Sequence, residues 1–302
     1  MSETPNSTPT HHTIKVRDGL NLHVTQWAAS TPMAQPILCL PGLTRNARDF
    51  TDIALALSQG ETARHVYALD ARGRGLSDHD PDWKNYSIPV ETQDVIDVMT
   101  ALGLHNASII GTSRGGLVAM ILAALQPGMV DAVVLNDIGP VIERAGLVRI
   151  AGYVGRMPLP LSWEDAARMV GDVSRKAFPA VPEETWAKVA RAWFNETNGR
   201  PAPGYDPKLG QSFSTTDATP PPLWPQFQAL KHARVLVVRG ETSDLLSAET
   251  VALMQQRHPN CTSLVVKGQG HAPLLMDQPT IEAISRFFDR TTVPQTIVAR
   301  VP

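Results

Sequence analysis

Short apolar runs alternate with longer amphipathic stretches along most of this chain, and that rhythm leaves few folds open. The runs 36–40, 65–69, 107–110, 130–135, 234–238 and 262–266 have the length and side chains of buried strands. Between them, 46–59, 89–102, 117–125, 248–258 and 280–288 space their apolar residues as helices do. Such alternation predicts a mostly parallel sheet with helices on both faces. Two further runs, 13–17 and 21–27, alternate apolar with polar residues and read as an opening hairpin, for eight strands in all. Segment 139–224 breaks the pattern. It is helix-rich, shows no clear strand, and is punctuated by Pro158, Pro160, Pro179, Pro182, Pro201, Pro203, Pro207 and Pro220 to Pro222. It reads as an insertion over the carboxyl edge of the sheet. The expected organisation is a polar, disordered tail 1–12, a core of 13–138 and 225–290, the insertion 139–224, and a C-terminal tail 291–302.

Composition narrows the function classes. Of 302 residues, 43% are hydrophobic and 19% charged, ample for a full core. A net charge of -2 gives no electrostatic basis for binding nucleic acid or an anionic membrane. Two cysteines, Cys39 and Cys261, cannot build a disulfide framework or a cysteine-rich zinc site. The longest unbroken apolar run, 117–125, is far short of the ~18 residues a membrane span needs. No apolar stretch follows the polar N-terminus, so no secretory signal is expected. These features predict a soluble, cytoplasmic protein. His11 and His12 read as an exposed polar pair, and no metal is expected.

The most informative stretch is Gly111-Thr112-Ser113-Arg114-Gly115, a G-x-S-x-G between a predicted strand and a predicted helix. By itself the motif is weak, because small residues are common. In this context it describes a sharp turn that lifts a serine hydroxyl clear of the sheet, with glycines where side chains would strike neighbouring backbone. The serine also sits at a helix N-terminus, whose free N–H groups favour a developing anion. A nucleophilic serine needs a base. Among nine histidines, His271 stands out, in a glycine-bearing loop after the 262–266 strand, where a sheet presents reactive groups. The base in turn needs an acid to hold one tautomer. Asp244 follows the 234–238 strand on the preceding loop and is the expected partner. Asp137, after the 130–135 strand, and Glu241 are the rivals.

The order Ser…Asp…His, the elbow and the strand–helix rhythm together resemble the α/β-hydrolase superfamily, from about Thr13 to Phe288. Leu40-Pro41-Gly42-Leu43 looks like its oxyanion loop, Asp70-Ala71-Arg72-Gly73-Arg74-Gly75-Leu76-Ser77 like its D-x-R-G-x-G-x-S turn, and 139–224 like its helical cap after strand 6. The resemblance implies an oxyanion hole made by the backbone N–H groups of Leu43 and Arg114. It implies a cofactor-free serine hydrolase that cleaves a small ester or lactone through an acyl-enzyme. The alternatives are a C–C hydrolase of diketones, a perhydrolase, or a ligand sensor of the same fold. Two departures stand out. Pro41 replaces the histidine frequent in such loops. Arg114 follows the nucleophile, where a cation opposes the helix dipole and calls for an anion, either a substrate carboxylate or a carboxylate of the protein. Arg114, Arg45, Trp163 and Trp193 are therefore candidate substrate contacts. Arg48 shares the oxyanion-loop flank with Arg45, and Trp186 and Trp224 share the insertion.

Overall fold

The computed structural model describes residues 8–212, 221–291 and 293–298. In chain order the elements are β1 (Thr10–Lys15), β2 (Asn21–Trp27), β3 (Ile37–Leu40), α1 (Thr51–Leu57), β4 (Val66–Leu69), α2 (Ile88–Ala101), β5 (Ala107–Thr112), α3 (Arg114–Leu125) and β6 (Val130–Asn136). There follow α4 (Arg144–Tyr153), α5 (Trp163–Ser174), α6 (Thr185–Trp193), β7 (Asn195–Thr197), β8 (Arg200–Ala202), α7 (Leu209–Ser212) and α8 (Trp224–Gln228). The chain closes with β9 (Arg234–Gly240), α9 (Ala248–Arg257), β10 (Cys261–Lys267), α10 (Gln278–Phe288) and β11 (Thr296–Val298).

One sheet runs β1-β2-β4-β3-β5-β6-β9-β10-β11. The pairs β1–β2 and β2–β4 are antiparallel, and the remaining pairs are parallel. Side chains alternate between its faces, as the two-residue strand period requires. Leu38, Leu40, Ile109, Val133, Leu135, Val235 and Val237 pack beneath α2, α3 and α9. Ile37, Cys39, Ile110, Ala132, Val134, Leu236 and Val238 pack against α1 and α10. Burial on both faces explains why these strands read as nearly continuous apolar runs.

Three expectations need correction. The sheet has nine strands rather than eight, because β11 lies in the stretch read as a C-terminal tail and pairs with β10. Its three residues are too few to carry a periodic signal. At the other end β1 begins at Thr10, inside the expected polar tail, because His11 and His12 pair with Thr25 and Val24 as an exposed edge strand. The insertion also carries a strand pair, β7–β8, turned by Asn198 and Gly199, both at positive φ. Asn-Gly is the residue pair such a two-residue hairpin favours, so the signal was present in the sequence.

The insertion has its own small core, where Ala166, Val170, Phe178, Trp186, Val189 and Ala190 meet Leu274 and Met276 from the loop after β10. It is tied down by polar contacts as well. Asn46 Nδ2 and Arg48 Nε donate to the carbonyl of Ala192, and Arg48 Nη2 donates to Phe194 O and Asn195 Oδ1. The Asp70–Ser77 turn is held by buried hydrogen bonds and ion pairs. Asp70 accepts from Ala47 N and Leu76 N, and buried Arg72 is shared among Asp18, Asp80 and Asp94.

Candidate active site

The chain has one residue to turn from β5 into α3, and that residue is Ser113. Its φ of 51° is a left-handed value that non-glycine residues adopt only when surrounding contacts enforce it. Here Ser113 N donates to Asn136 O and its carbonyl accepts from Gly116 N, each at 2.9 Å. A Cβ on Gly111 would fall 2.7 Å from the Gly116 backbone, and one on Gly115 would fall 2.1 Å from the Leu40 carbonyl oxygen. Both motif glycines are therefore demanded by close backbone approach. The Ser113 side chain makes no capping bond to its own helix. Its hydroxyl instead lies 2.9 Å from His271 Nε2.

His271 follows β10 in a braced loop. Gln269, fully buried, accepts from Leu274 N and donates to Asp277. Asn136 Nδ2 donates to Pro273 O and to Thr112 Oγ1, so one amide ties the histidine loop to the serine strand. Sequence reading did not single out Asn136, and only its place at the end of β6 hinted at such a role.

The acid facing His271 is Asp137, not Asp244. Asp137 Oδ2 lies 2.8 Å from His271 Nδ1. The same oxygen accepts from Ser243 Oγ at 2.5 Å, and Oδ1 accepts from Gly240 N at 2.8 Å. Asp137 is 0% exposed. With a carboxylate at Nδ1, the ring keeps its proton there and presents the Nε2 lone pair to the Ser113 hydroxyl. Asp244 has other work. It accepts from Arg149 Nε at 2.6 Å and Nη2 at 2.8 Å, and its carbonyl accepts from Gly146 N at the start of α4. Burial pushes the Asp244 carboxyl up, but the hydrogen bond and charge of Arg149, with His271 nearby, hold it below its ordinary range. Glu241 is likewise committed, to Lys267 Nζ and Gly268 N.

The N–H groups of Leu43 and Arg114 meet no protein acceptor among the described residues. Gly42, just before Leu43, lies against Ser113, since a Cβ there would sit 3.7 Å from Ser113 Cβ. Core loop and insertion enclose a cavity of about 490 Å³, lined by Gly42, Leu43, Ser113 and His271 below and by aromatic and aliphatic side chains above. Among the candidate substrate contacts, Arg45 and Trp193 line this cavity, with the Arg45 guanidinium 3.8 Å over the Trp193 ring and Nε paired to Asp49. Arg149, Tyr153 and Trp186 line it too. Trp163 does not. It donates to Gly199 O and stacks on Arg191, packing the β7–β8 hairpin. Trp224 packs against Phe227 and Arg257. The Arg114 side chain turns away from the cavity to Glu91, so of the two anions its charge called for, the structure supplies the protein carboxylate. Among the described residues no group of three or more His, Cys, Asp or Glu is arranged to hold a metal, and no helix is long and apolar enough to cross a membrane.

A buried carboxylate, an imidazole and a serine hydroxyl in one hydrogen-bonded line, opening on a cavity, can transfer an acyl group. Comparison with known proteins places the chain among hydrolases. Residues 37–283 match the family model described as the alpha/beta hydrolase family. The chain is 34% identical over 261 residues to a 3-hydroxybutyrate-oligomer hydrolase from Cupriavidus necator, covering 83% of this chain and 87% of that one. It is 27% identical over 256 residues to a 2-(acetamidomethylene)succinate hydrolase from Mesorhizobium japonicum, covering 84% and 87%. An alpha/beta hydrolase from Novosphingobium aromaticivorans superposes with a TM-score of 0.86 at 38% identity, over 94% of this chain and 99% of that one. Fold, elbow and sequence match over most of its length agree: this chain is a member of the alpha/beta hydrolase family.

Proposed function

We propose that this hydrolase cleaves short carboxylic esters through an acyl-enzyme formed on Ser113. The observation that carries the reading is the unbroken line from Ser113 Oγ through His271 to Asp137, opening on an enclosed cavity. His271 Nε2 takes the hydroxyl proton as Ser113 Oγ attacks the ester carbonyl carbon. The resulting oxyanion takes hydrogen bonds from the N–H groups of Leu43 and Arg114. Asp137 keeps the Nδ1 proton in place and stabilises the imidazolium without taking that proton. Collapse of the tetrahedral adduct breaks the C–O bond, and the leaving alkoxide takes the proton from Nε2. Water, deprotonated by the same nitrogen, then releases the acid and restores Ser113.

The cavity falls in the size range of small-molecule sites. Its aromatic and aliphatic roof suits an acyl chain of a few carbons, and the Arg45–Asp49 and Arg149–Asp244 pairs give it polar flanks. The 3-hydroxybutyrate-oligomer hydrolase, aligned over most of both chains, supports a short hydroxyacyl ester as the substrate. The test compares wild type with Ser113→Ala on p-nitrophenyl butyrate and on a linear dimer of 3-hydroxybutyrate, with mass spectrometry of a fluorophosphonate-treated sample. Turnover should fall by roughly three to six orders of magnitude, with the label on Ser113 alone. Retained turnover in Ser113→Ala would overturn the reading.

A further inference from the structure

The two N–H groups proposed to hold the oxyanion belong to residues far apart in sequence, and a buried charged bridge joins those residues. Arg114 opens α3, whose first turn contains no acidic residue. A cation there opposes the helix dipole, so its partner must come from elsewhere. That partner is Glu91, in the first turn of α2. Arg114 Nε donates to Oε2 at 2.8 Å and Nη2 to Oε1 at 3.1 Å, while Nη2 also reaches Tyr86 O at 2.9 Å. Glu91 Oε1 accepts a further bond, from Arg74 Nη1 at 2.7 Å. Arg74 in turn donates from Nε to the carbonyl of Leu43 at 2.8 Å and from Nη1 to Arg72 O at 2.8 Å. The path from the Leu43 carbonyl through Arg74 and Glu91 to Arg114 thus contains no water-width gap. Side-chain exposure is 1% at Arg74, 5% at Glu91 and 14% at Arg114, so solvent does little to soften these bonds.

The bond from Arg74 Nε to the Leu43 carbonyl holds the short loop that carries the Leu43 amide, and the Arg114 side chain anchors the first turn of α3. We infer that Glu91, acting through Arg74 and Arg114, is the positioning residue of the oxyanion hole: it sets the separation and aim of the Leu43 and Arg114 N–H groups. This rests on the acyl-enzyme reading above. Burial pushes the Glu91 carboxyl up, yet Arg114 and Arg74 together hold it down at about 2, so the bridge stays charged at every practical assay pH. Glu91 is the shared acceptor of the bridge: Oε1 takes one bond from each arginine and Oε2 a second from Arg114.

The test uses Glu91→Gln, which keeps the shape but loses the charge and one acceptor, and Arg114→Met, which removes the tether while leaving the backbone donor. Each is assayed with p-nitrophenyl butyrate, with a trifluoromethyl ketone that forms a tetrahedral adduct on serine, and by thermal unfolding. Losing one oxyanion donor outright costs roughly 10²–10³ in kcat, so misaiming donors should cost about 10–100-fold. The expected result is that loss in kcat with KM within about twofold, and a ketone Ki weakened in step with kcat/KM. Glu91→Asp, which keeps the charge, should recover part of the activity. A merely structural role would lower Tm and the active fraction without changing the ketone affinity of the folded enzyme. If Glu91→Gln does not fold, Arg114→Met carries the same comparison. A folded variant with kcat and ketone Ki within twofold of wild type overturns the inference. Loss of the acyl-enzyme reading itself would be seen separately, as persistent turnover in Ser113→Ala.

Discussion

Replacing Asp137 by Asn should cripple the enzyme, while the same change at Asp244 should leave its chemistry nearly intact. Asp137 Oδ2 receives two donors, His271 Nδ1–H and Ser243 O–H, and Oδ1 receives a third from Gly240 N. Asparagine can keep the Gly240 bond only by turning its NH₂ toward both of the other donors. The imidazole then relieves the clash by moving its proton to Nε2, which faces the Ser113 hydroxyl and can no longer accept from it. A wrong tautomer of this kind costs about 10³–10⁴ in kcat, or roughly 4–5.5 kcal/mol of barrier. Asp244 forms a pair with Arg149 in which both side chains are about a third or more exposed. Such pairs are worth roughly 0–1 kcal/mol, so Asp244→Asn should lower Tm slightly and keep kcat within about threefold. Because Arg149 lines the cavity, KM is the parameter that should move. Both variants are measured by steady-state hydrolysis of p-nitrophenyl butyrate at pH 8. A thousandfold loss in Asp244→Asn with Asp137→Asn near wild type would refute the reasoning.

Three further outcomes follow from packing and burial. Gly115→Ala would drive a Cβ to 2.1 Å from the Leu40 carbonyl oxygen, so it should cost about 3 kcal/mol or more and lower both Tm and kcat; Gly128→Ala, with nothing within 4 Å, should be nearly silent in the same melting experiment. Arg72→Met leaves Asp18, Asp80 and Asp94 without their shared cation and should cost about 3–5 kcal/mol by urea denaturation; an unchanged urea midpoint would rule out that cost. His258 is buried and neutral, with Nε2–H donating to Leu230 O and Nδ1 accepting from Asn260 N. Burial lowers its pKa below the ordinary 6.5. The unfolded chain therefore takes up a proton near pH 6.5 that the folded chain refuses. Stability contributed by this site is present above pH 6.5 and falls as pH drops below it, by at most about 1.4 kcal/mol per unit. Urea midpoints measured from pH 7.5 to 5.5 should show this decline in wild type and a smaller one in His258→Gln.

The strand–helix alternation and the serine elbow were legible because both leave local marks. Doubly buried strands must be apolar throughout, and the elbow must carry glycine wherever another backbone approaches within contact. The choice of acid left no such mark. Asp137 and Asp244 each follow a central strand, and each sits within reach of the histidine loop by topology alone. What separates them lies elsewhere in the chain: Ser243 and the Gly240 amide aim at Asp137, and Arg149 of α4 captures Asp244. An ion pair between residues 95 positions apart is invisible to any reading of local pattern. Arg114 was half-legible for a similar reason. Its misfit with the helix dipole demanded an anion, but whether protein or substrate supplies it depends on where Glu91 lands.

The division of labour between the two aspartates follows from the environment each must tolerate. A carboxylate at 0% exposure needs its hydrogen-bonding capacity filled, and Asp137 achieves this with three neutral-state donors and no cation of its own. Had Arg149 paired with it instead, a permanent positive charge beside the imidazole would oppose the imidazolium that the proposed attack forms. Placing the arginine on Asp244 keeps that charge balanced and uses the pair to fasten α4, whose Ile150 and Tyr153 help wall the cavity. On the proposed mechanism, the carboxyl ends of β6 and β9 serve chemistry and cap attachment through separate carboxylates. It follows that changes at Asp244 or Arg149 should act on substrate preference, read as the ratio of kcat/KM values for acyl chains of different length. Changes at Asp137 should lower kcat for all chains alike. A variant of Asp244 that lowered kcat equally on every substrate, with no change in that ratio, would mean that the two carboxylates act as one unit rather than two.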